Sequence, residues 1–172
     1  HKTTFITKRG SFQFNVLPFG LCNAPGTFQR LMDLVLAGMN YDICLVYIDD
    51  IIIFSKDEDS HFIRLELLFL RLKDAHLKLK PSKCHIFQKR VLFLGHVVSA
   101  EGISTDPEKV EAIRSWPIPR SVRDVRSFIG LCSYYRRYVQ GFANMAGPLH
   151  ELTKKNRKFL WNEKCQESFE AL

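Results

Sequence analysis

The sequence predicts an α+β fold in which short antiparallel hairpins and covering helices are followed by a helical region. Two apolar, β-branched runs flank the dipeptide Asp49-Asp50, which is the pattern of a buried hairpin with an acidic tip. After residue 98, helical apolar stripes with capping residues dominate. Hydrophobic residues make up 46% of the chain and charged residues 25%, which is typical of a globular protein and excludes a disordered one.

The N-terminal third predicts a hairpin, a shaped loop and a helix. Residues 4–7 and 12–16 alternate as strands do, with a turn at residues 8–11. The loop over residues 17–23 is rich in Pro and Gly, and Asn23 and Pro25 suit the cap and first turn of the helix that follows. That helix ends near Gly38 and has a continuous apolar stripe, formed by Phe28, Leu31, Met32 and Val35.

The pair Asp49-Asp50 is the most informative feature of the hairpin. Two like charges between core strands are costly unless a cation accompanies them, and carboxylate oxygens suit Mg²⁺ or Mn²⁺. Asp-Asp is also a common turn dipeptide. From these residues alone, a metal site and an ordinary turn both remain open.

The middle of the chain predicts one long helix and further strands. Residues 57–60 place acids and a cap at the start of the helix. We expect it to be buried on more than one side, because two apolar lines follow it: Phe62, Leu65, Phe69 and Leu72, and Ile63, Leu67 and Leu70. Residues 77–80, 86–87 and 91–98 predict strands, with Gly95 marking a bulge or a close backbone approach.

The C-terminal part predicts capped helices, one of which has a cationic face. Asp106 and Pro107 start one helix, and Ser121 with Asp124 starts the next as a capping box. A final helix begins at about Lys164. The second helix has an apolar stripe (Val122, Val125, Ile129, Cys132) and a face with cations at both ends and small residues between them: Arg123, Arg126, Ser127, Gly130, Ser133 and Arg137.

A glycine inside a helix costs roughly 1 kcal/mol relative to alanine. Gly130 therefore predicts a compensating contact, either with a nucleic-acid groove whose phosphates the arginines bind, or with another helix. The residues leave these two alternatives open.

Charge and cysteine content narrow the class of protein. Two windows, residues 71–90 and 114–137, contain 13 basic and 2 acidic residues. Such clustering predicts a nucleic-acid partner rather than a membrane surface, and no apolar run reaches transmembrane length.

The five cysteines are spread widely without a Cys-x-x-Cys pair, which predicts a reduced intracellular protein with free thiols. A zinc site at Cys84, His85 and His96 lacks two ligand pairs at structural spacing.

Three motifs occur in an order and spacing that carry a family resemblance. In order along the chain, the motifs are Leu17-Pro18-Phe19-Gly20-Leu21 with the following Asn23-Ala24-Pro25, Tyr47-Ile48-Asp49-Asp50, and Phe93-Leu94-Gly95-His96. They resemble motifs of the reverse transcriptases of gypsy-type long-terminal-repeat retrotransposons. The resemblance implies an RNA-directed DNA polymerase with a right-hand palm over residues 1–98 and thumb or connection helices over 99–150. It also implies the beginning of an RNase H-like domain over 151–172, with the chain incomplete at both ends and the fingers missing.

The resemblance also implies roles for individual residues. Asp49 and Asp50 would hold two Mg²⁺ ions, with Mn²⁺ as a possible substitute. The nucleotide and template region would be formed by Phe19, Gly20, Gln29, Tyr47 and Lys83. The primer 3′ end would be gripped by Phe93, Leu94, Gly95 and His96. The duplex would lie on the cationic helix face, that is on Arg123, Arg126, Ser127, Gly130, Ser133 and Arg137.

The partners implied are an RNA or DNA template–primer, a dNTP and the rest of a Pol polyprotein: fingers, RNase H and integrase. The implied location is the cytoplasm or a virus-like particle. The family needs a third Asp on an earlier strand, whereas no acidic residue precedes Asp33 here. Asp33 and Asp42 are the nearby acids, and neither lies in a matching motif. We therefore expect this chain alone not to polymerise. The alternative is a non-catalytic nucleic-acid-binding remnant or a domesticated fragment, although the intact Asp pair and nucleotide loop argue against long decay.

Overall fold

The computed structural model describes residues 2–172, which form two compact units. The first unit ends at Gln88 and the second comprises Lys89–Leu172. Both combine helices with small antiparallel sheets, as the predicted α+β class requires. Within the described residues, every helix is too short or too polar to cross a membrane.

The first unit contains two hairpins and two helices. Strands β1 (Phe5–Thr7) and β2 (Gly10–Phe12) form one hairpin, and β3 (Cys44–Tyr47) and β4 (Asp50–Ile53) form the other. Helix α1 spans Ala24–Val35, helix α2 spans Glu58–Asp74, and a short 3-10 helix spans Pro81–Lys83. The core of the first unit lies where α1 and α2 meet the β3–β4 hairpin. It consists of Met32, Leu36, Met39, Cys44, Leu68 and Leu72.

Two local predictions at the N-terminus were wrong in detail. The first hairpin turns at Lys8 and Arg9 instead of over residues 8–11, because Gly10 adopts a φ of 129° and already pairs with Thr7. Asn23 occupies the cap position of α1, but its side chain makes no capping hydrogen bond. Side-chain capping normally requires an extended backbone at the cap residue. The backbone of Asn23 is instead near the helical region, with φ −92° and ψ 0°. Pro25 does lie in the first turn.

Helix α2 is capped as predicted but is buried on one side only. Asp57 accepts a hydrogen bond from the backbone N–H of Ser60 at 2.8 Å. The buried face is formed by Leu65, Leu68 and Leu72. The prediction of burial on more than one side was wrong, since all three buried residues lie on one face, although the ring of Phe62 still contacts that of Phe87 with centroids 4.6 Å apart. The other apolar residues are 40–62% exposed: Phe62, Ile63, Leu67, Phe69 and Leu70.

The second unit is a three-stranded sheet followed by four helices. Strands β5 (Arg90–Phe93), β6 (His96–Ser99) and β7 (Gly102–Thr105) form an antiparallel meander. Helices α3 (Pro107–Arg114), α4 (Val122–Tyr134), α5 (Phe142–Leu152) and α6 (Glu163–Ala171) follow, with a 3-10 helix over Arg136–Tyr138.

The strand predictions around this sheet were partly wrong. Residues 77–80 and 86–87 form no strand, and the run over 91–98 is divided by a turn into β5 and β6. No strand was predicted over Gly102–Thr105, whereas pairing with β6 recruits these residues into β7. The helix caps are confirmed. Asp106 accepts from the N–H of Glu108 at 2.9 Å, and Ser121 accepts from the N–H of Asp124 at 3.2 Å.

The core of the second unit forms around α4. Val125, Phe128, Ile129 and Cys132 lie on its buried face and pack against Leu149 of α5 and Cys165 of α6. Burial raises the pKa of the Cys132 thiol to about 11, so this thiol stays protonated at neutral pH. All five cysteines are free, and Cys22 alone among them is exposed.

Candidate functional site

The paired aspartates lie at the tip of the β3–β4 hairpin. Tyr47 pairs with Asp50, so Ile48 and Asp49 form a two-residue turn. The prediction that both acids occupy the tip was half right, because Asp50 is already the first residue of β4. The two carboxylates are therefore held by different kinds of backbone, one by a turn and one by a strand.

The backbone at Ile48 is unusual. Its φ is 51°, whereas the φ of Asp49 is not positive. Two-residue hairpin turns need positive φ values that glycine or asparagine usually supplies. A left-handed conformation costs an L-residue roughly 1–2 kcal/mol, and the β-branched side chain of Ile48 makes it rarer still. Strain of this kind lies directly next to a predicted metal ligand.

Gln29 of α1 contacts this turn. Its Oε1 accepts a hydrogen bond from the backbone N–H of Ile48 at 2.6 Å, and its Nε2 donates to Oδ1 of Asp33 at 2.9 Å. Gln29 is half-buried. The side chain that the resemblance assigns to the template or nucleotide region thus contacts the turn that carries Asp49.

The donor set at the tip fits a hard divalent cation, but only in part. Asp49 and Asp50 are exposed, and within residues 2–172 neither carboxylate makes an ion pair or hydrogen bond. Two adjacent carboxylates with free oxygens are ligands that Mg²⁺ and Mn²⁺ accept. The described residues contain no group of three His, Cys, Asp or Glu able to hold a metal, at this tip or at the zinc candidate around Cys84.

The other residues predicted for the nucleotide region lie in loops or at the surface. Phe19 is fully exposed, and Gly20 next to it has a φ of 86° that favours glycine. Lys83 ends the 3-10 helix and is exposed. Over residues 2–172 neither Phe19 nor Lys83 hydrogen bonds to the aspartates. Tyr47 is 54% exposed beside Asp50.

In the second unit, the predicted primer-grip residues form the β5–β6 turn. Leu94 and Gly95 are its two central residues, with φ values of 48° and 68°. The Tyr134 hydroxyl donates to the carbonyl of Leu94, and the Tyr135 hydroxyl donates to that of Gly95 at 2.7 Å. Gly95 therefore lies in a turn, not a strand as predicted. The close approach comes from the Tyr134 ring, which would lie 3.3 Å from a Cβ at Gly95.

The tyrosines that fix this turn were not predicted as site residues. The His96 ring packs against Tyr134, Tyr135 and Tyr138 with centroids 5.3, 5.6 and 5.9 Å away. Burial raises the pKa of Tyr135, which keeps its hydroxyl a donor at physiological pH. The signal in the sequence was three aromatic residues directly after the small-residue face of α4, a place where no apolar stripe required them.

The cationic face of α4 points to solvent. Arg123, Arg126, Ser127 and Gly130 are exposed and Ser133 is half-buried. The prediction that Arg137 continues this face was wrong, because α4 ends at Tyr134 and the exposed Arg137 lies in the 3-10 helix that follows. A Cβ at Gly130 would meet no atom within 4 Å, so the described residues make no helix contact there. Arg126 is partly engaged, because its guanidinium donates to the carbonyl of Thr153 at 3.0 Å.

Comparison with known proteins points to one family. Residues 2–98 match the family model described as reverse transcriptase (RNA-dependent DNA polymerase). The chain is 44% identical over 173 residues to the retrovirus-related Pol polyprotein from transposon 297 of Drosophila melanogaster, covering 99% of this chain and 16% of that protein. The corresponding polyprotein from transposon gypsy of the same species is 43% identical over 153 residues, covering 89% and 15%. The chain thus spans about a sixth of these relatives.

Solved structures agree with this match. A foamy viral protease-reverse transcriptase in complex with double-stranded DNA has a TM-score of 0.86 and 25% identity, covering 98% of this chain and 30% of that one. The same enzyme in complex with an RNA/DNA hybrid gives a TM-score of 0.83 at 25% identity, covering 98% and 23%. The α+β polymerase fold predicted from the sequence is thereby confirmed. The chain belongs to the reverse transcriptase (RNA-dependent DNA polymerase) family, with its relatives among the Pol polyproteins of gypsy-type long-terminal-repeat retrotransposons.

Proposed function

We propose that this chain is the catalytic-hairpin and duplex-binding portion of an RNA-directed DNA polymerase that adds dNTPs to a primer. The observation that carries the proposal is the position of Asp49 and Asp50 at the tip of the β3–β4 hairpin, exposed and without a cationic partner in the described residues. Two carboxylates that are free to bind an ion suit phosphoryl-group transfer better than they suit a structural turn.

Asp49 is the main metal ligand in this proposal, and Asp50 assists. Two divalent ions bound there would activate the primer 3′-hydroxyl and stabilise the leaving pyrophosphate. The primer 3′-oxygen forms a bond to the α-phosphorus of the dNTP, and the hydroxyl proton passes to solvent. The bond between the α-phosphorus and the oxygen that bridges it to the β-phosphorus breaks, which releases pyrophosphate. Because two carboxylates are an incomplete set for such a site, a third acid from elsewhere in the protein has to join them.

Primer extension tests this function. We expect a longer version of the protein, including sequence that precedes His1, to extend a DNA primer on an RNA template in Mg²⁺ or Mn²⁺. We expect the 172-residue chain alone not to do so. Incorporation by the short chain, abolished by Asp49→Asn, would show that another acid completes the site. A longer protein that binds duplex without extending it would favour the non-catalytic alternative.

The second unit would hold the template–primer. Arg123 on the exposed α4 face and Arg137 in the 3-10 helix that follows would bind phosphates, while Gly130 leaves space for the duplex. The turn formed by Leu94 and Gly95 would contact the primer end together with Phe93 and His96. The same proposal divides the chain into palm, thumb and the beginning of an RNase H-like domain. It also includes association with the remaining parts of a Pol polyprotein inside the cell. It is supported by the Pol polyprotein relatives and by the nucleic-acid complexes of the similar structures.

A Gly130→Ala substitution separates stability from binding on this helix. We expect the free energy of unfolding to rise by roughly 0.5–1 kcal/mol, because alanine has the higher helix propensity and its Cβ meets open space. Duplex affinity should fall at least several-fold, because the methyl group occupies the space left for the duplex. Urea unfolding and fluorescence anisotropy with a labelled duplex measure the two effects.

The matched control is Gly147→Ala in α5, where an added Cβ also meets nothing within 4 Å. This variant should gain less stability than Gly130→Ala, because Pro148 follows it and disfavours a helical backbone at a preceding residue with a Cβ, and its duplex affinity should be unchanged. Equal affinity of both variants and the unsubstituted chain would remove α4 from the proposed duplex surface.

A further inference from the structure

The resemblance assigns Gln29 to the nucleotide region, but both the oxygen and the nitrogen of its side-chain amide make hydrogen bonds to other residues of the protein. Its Oε1 accepts from the N–H of Ile48, and its Nε2 donates to the carboxylate of Asp33. The orientation of the side-chain amide is determined by these partners, because a backbone N–H needs the oxygen and a carboxylate needs the NH₂ group. The side chain is thus held between an acid on its own helix and the β3–β4 turn.

The Ile48 N–H needs this partner. In a two-residue hairpin turn the strand ladder ends at the flanking pair, here Tyr47 and Asp50, so the first turn residue has no acceptor on the opposite strand. Ile48 is half-buried, where an unsatisfied N–H is costly. Gln29 supplies the acceptor at 2.6 Å, at a residue whose φ of 51° a β-branched side chain otherwise resists.

The contact acts on the metal ligands through the backbone. The peptide that follows Ile48 leads directly into Asp49, so the conformation held at Ile48 sets the direction in which the Asp49 carboxylate leaves the turn. We propose that Gln29 is a positioning residue that fixes the catalytic turn, and that it does not contact template or nucleotide. This inference rests on the proposed function for its catalytic consequence, whereas the contact itself can be tested without any activity.

The contact is tested by hydrogen exchange in the 172-residue chain, measured by NMR at the Ile48 amide. Gln29→Met keeps the length of the side chain and removes the acceptor, so exchange at Ile48 should become at least about 10-fold faster, as expected when a protecting hydrogen bond is lost. The control is Gln140→Met, because over residues 2–172 no hydrogen bond involves the exposed side chain of Gln140. Exchange at Ile48 that is unchanged in Gln29→Met would overturn the proposal.

A charge-conserving exchange distinguishes the hydrogen-bond network from the mere presence of a glutamine. The double variant Gln29→Glu with Asp33→Asn keeps the net charge. The new side-chain amide at position 33 can donate to the new carboxylate at position 29, and that carboxylate still accepts from the Ile48 N–H. We expect exchange at Ile48 to remain within about 3-fold of the unsubstituted chain. Fast exchange in this double variant would mean that Gln29 acts by packing, which the proposal excludes.

The catalytic consequence is measured in the longer, polymerising protein. Gln29→Met should lower kcat roughly 10- to 100-fold while the KM for dNTP and the Kd for template–primer change less than about 3-fold, because only the metal ligands are displaced. A raised KM with unchanged kcat would assign Gln29 to the nucleotide and overturn the proposal. If the unsubstituted protein incorporates nothing, the proposed function fails, and the exchange experiment still decides whether Gln29 fixes the turn.

Discussion

An Asp49→Asn substitution is expected to abolish primer extension in a longer version of the protein that extends primers, with a fall in kcat of at least about a thousand-fold, equivalent to roughly 4 kcal/mol of transition-state stabilisation. The amide keeps the size of the carboxylate but removes the charge that a divalent ion requires. Asparagine is also a good turn former, so the β3–β4 hairpin should be retained. Single-turnover nucleotide incorporation measures the loss.

The design separates chemistry from folding and binding. Asp49 is exposed and its carboxylate is unpaired over residues 2–172, so its replacement should leave the unfolding midpoint and the duplex Kd unchanged. Asp42→Asn is the control, since it makes the same change at a nearby exposed acid. Comparable losses in both variants would mean that Asp42 shares the metal. An Asp49→Asn protein that retains more than a tenth of its activity would contradict the assignment of Asp49 as the main ligand.

Much of the β3–β4 hairpin could be predicted from the sequence, because β-branched runs on both sides of an acidic dipeptide specify two strands and a turn. The conformation of that turn could not be predicted. Nothing in an isoleucine signals a positive φ, and Ile48 adopts one in a turn that the Gln29 side chain of a different element contacts. Tertiary contacts of this kind cannot be predicted from the pattern of neighbouring residues in the sequence.

The errors in the remaining elements have a similar origin. Strand β7 exists because β6 offers it a pairing edge, and both Gly102, with a φ of 121°, and Thr105 are recruited into it. Apolar residues around α2 predicted burial on several sides, yet only the face with Leu65, Leu68 and Leu72 meets the core of its unit. Helix caps were predicted more reliably, since a cap is decided by a few consecutive residues.

A Phe128→Ala substitution is expected to cost the second unit about 3–5 kcal/mol of unfolding free energy. Phe128 is 1% exposed and packs against Trp116 and Phe169, with ring centroids 6.2 and 4.6 Å away. Removing the ring forfeits its burial and leaves a cavity between α4, α6 and the segment that follows α3. This loss approaches the whole stability of a small domain, so a large part of the second unit should be unfolded at physiological temperature.

Tryptophan fluorescence during urea unfolding measures this effect in the second unit alone. The chain has two tryptophans, Trp116 and Trp161, and both pack against the core that contains Phe128. We expect a lower urea midpoint with an unchanged slope. Leu160→Ala, at a residue that is 67% exposed in the same unit, should change the unfolding free energy by less than about 0.5 kcal/mol. A cost below about 1 kcal/mol for Phe128→Ala would mean that α4 is not the centre of this core, and the exposed face assigned to the duplex would lose its rigid support.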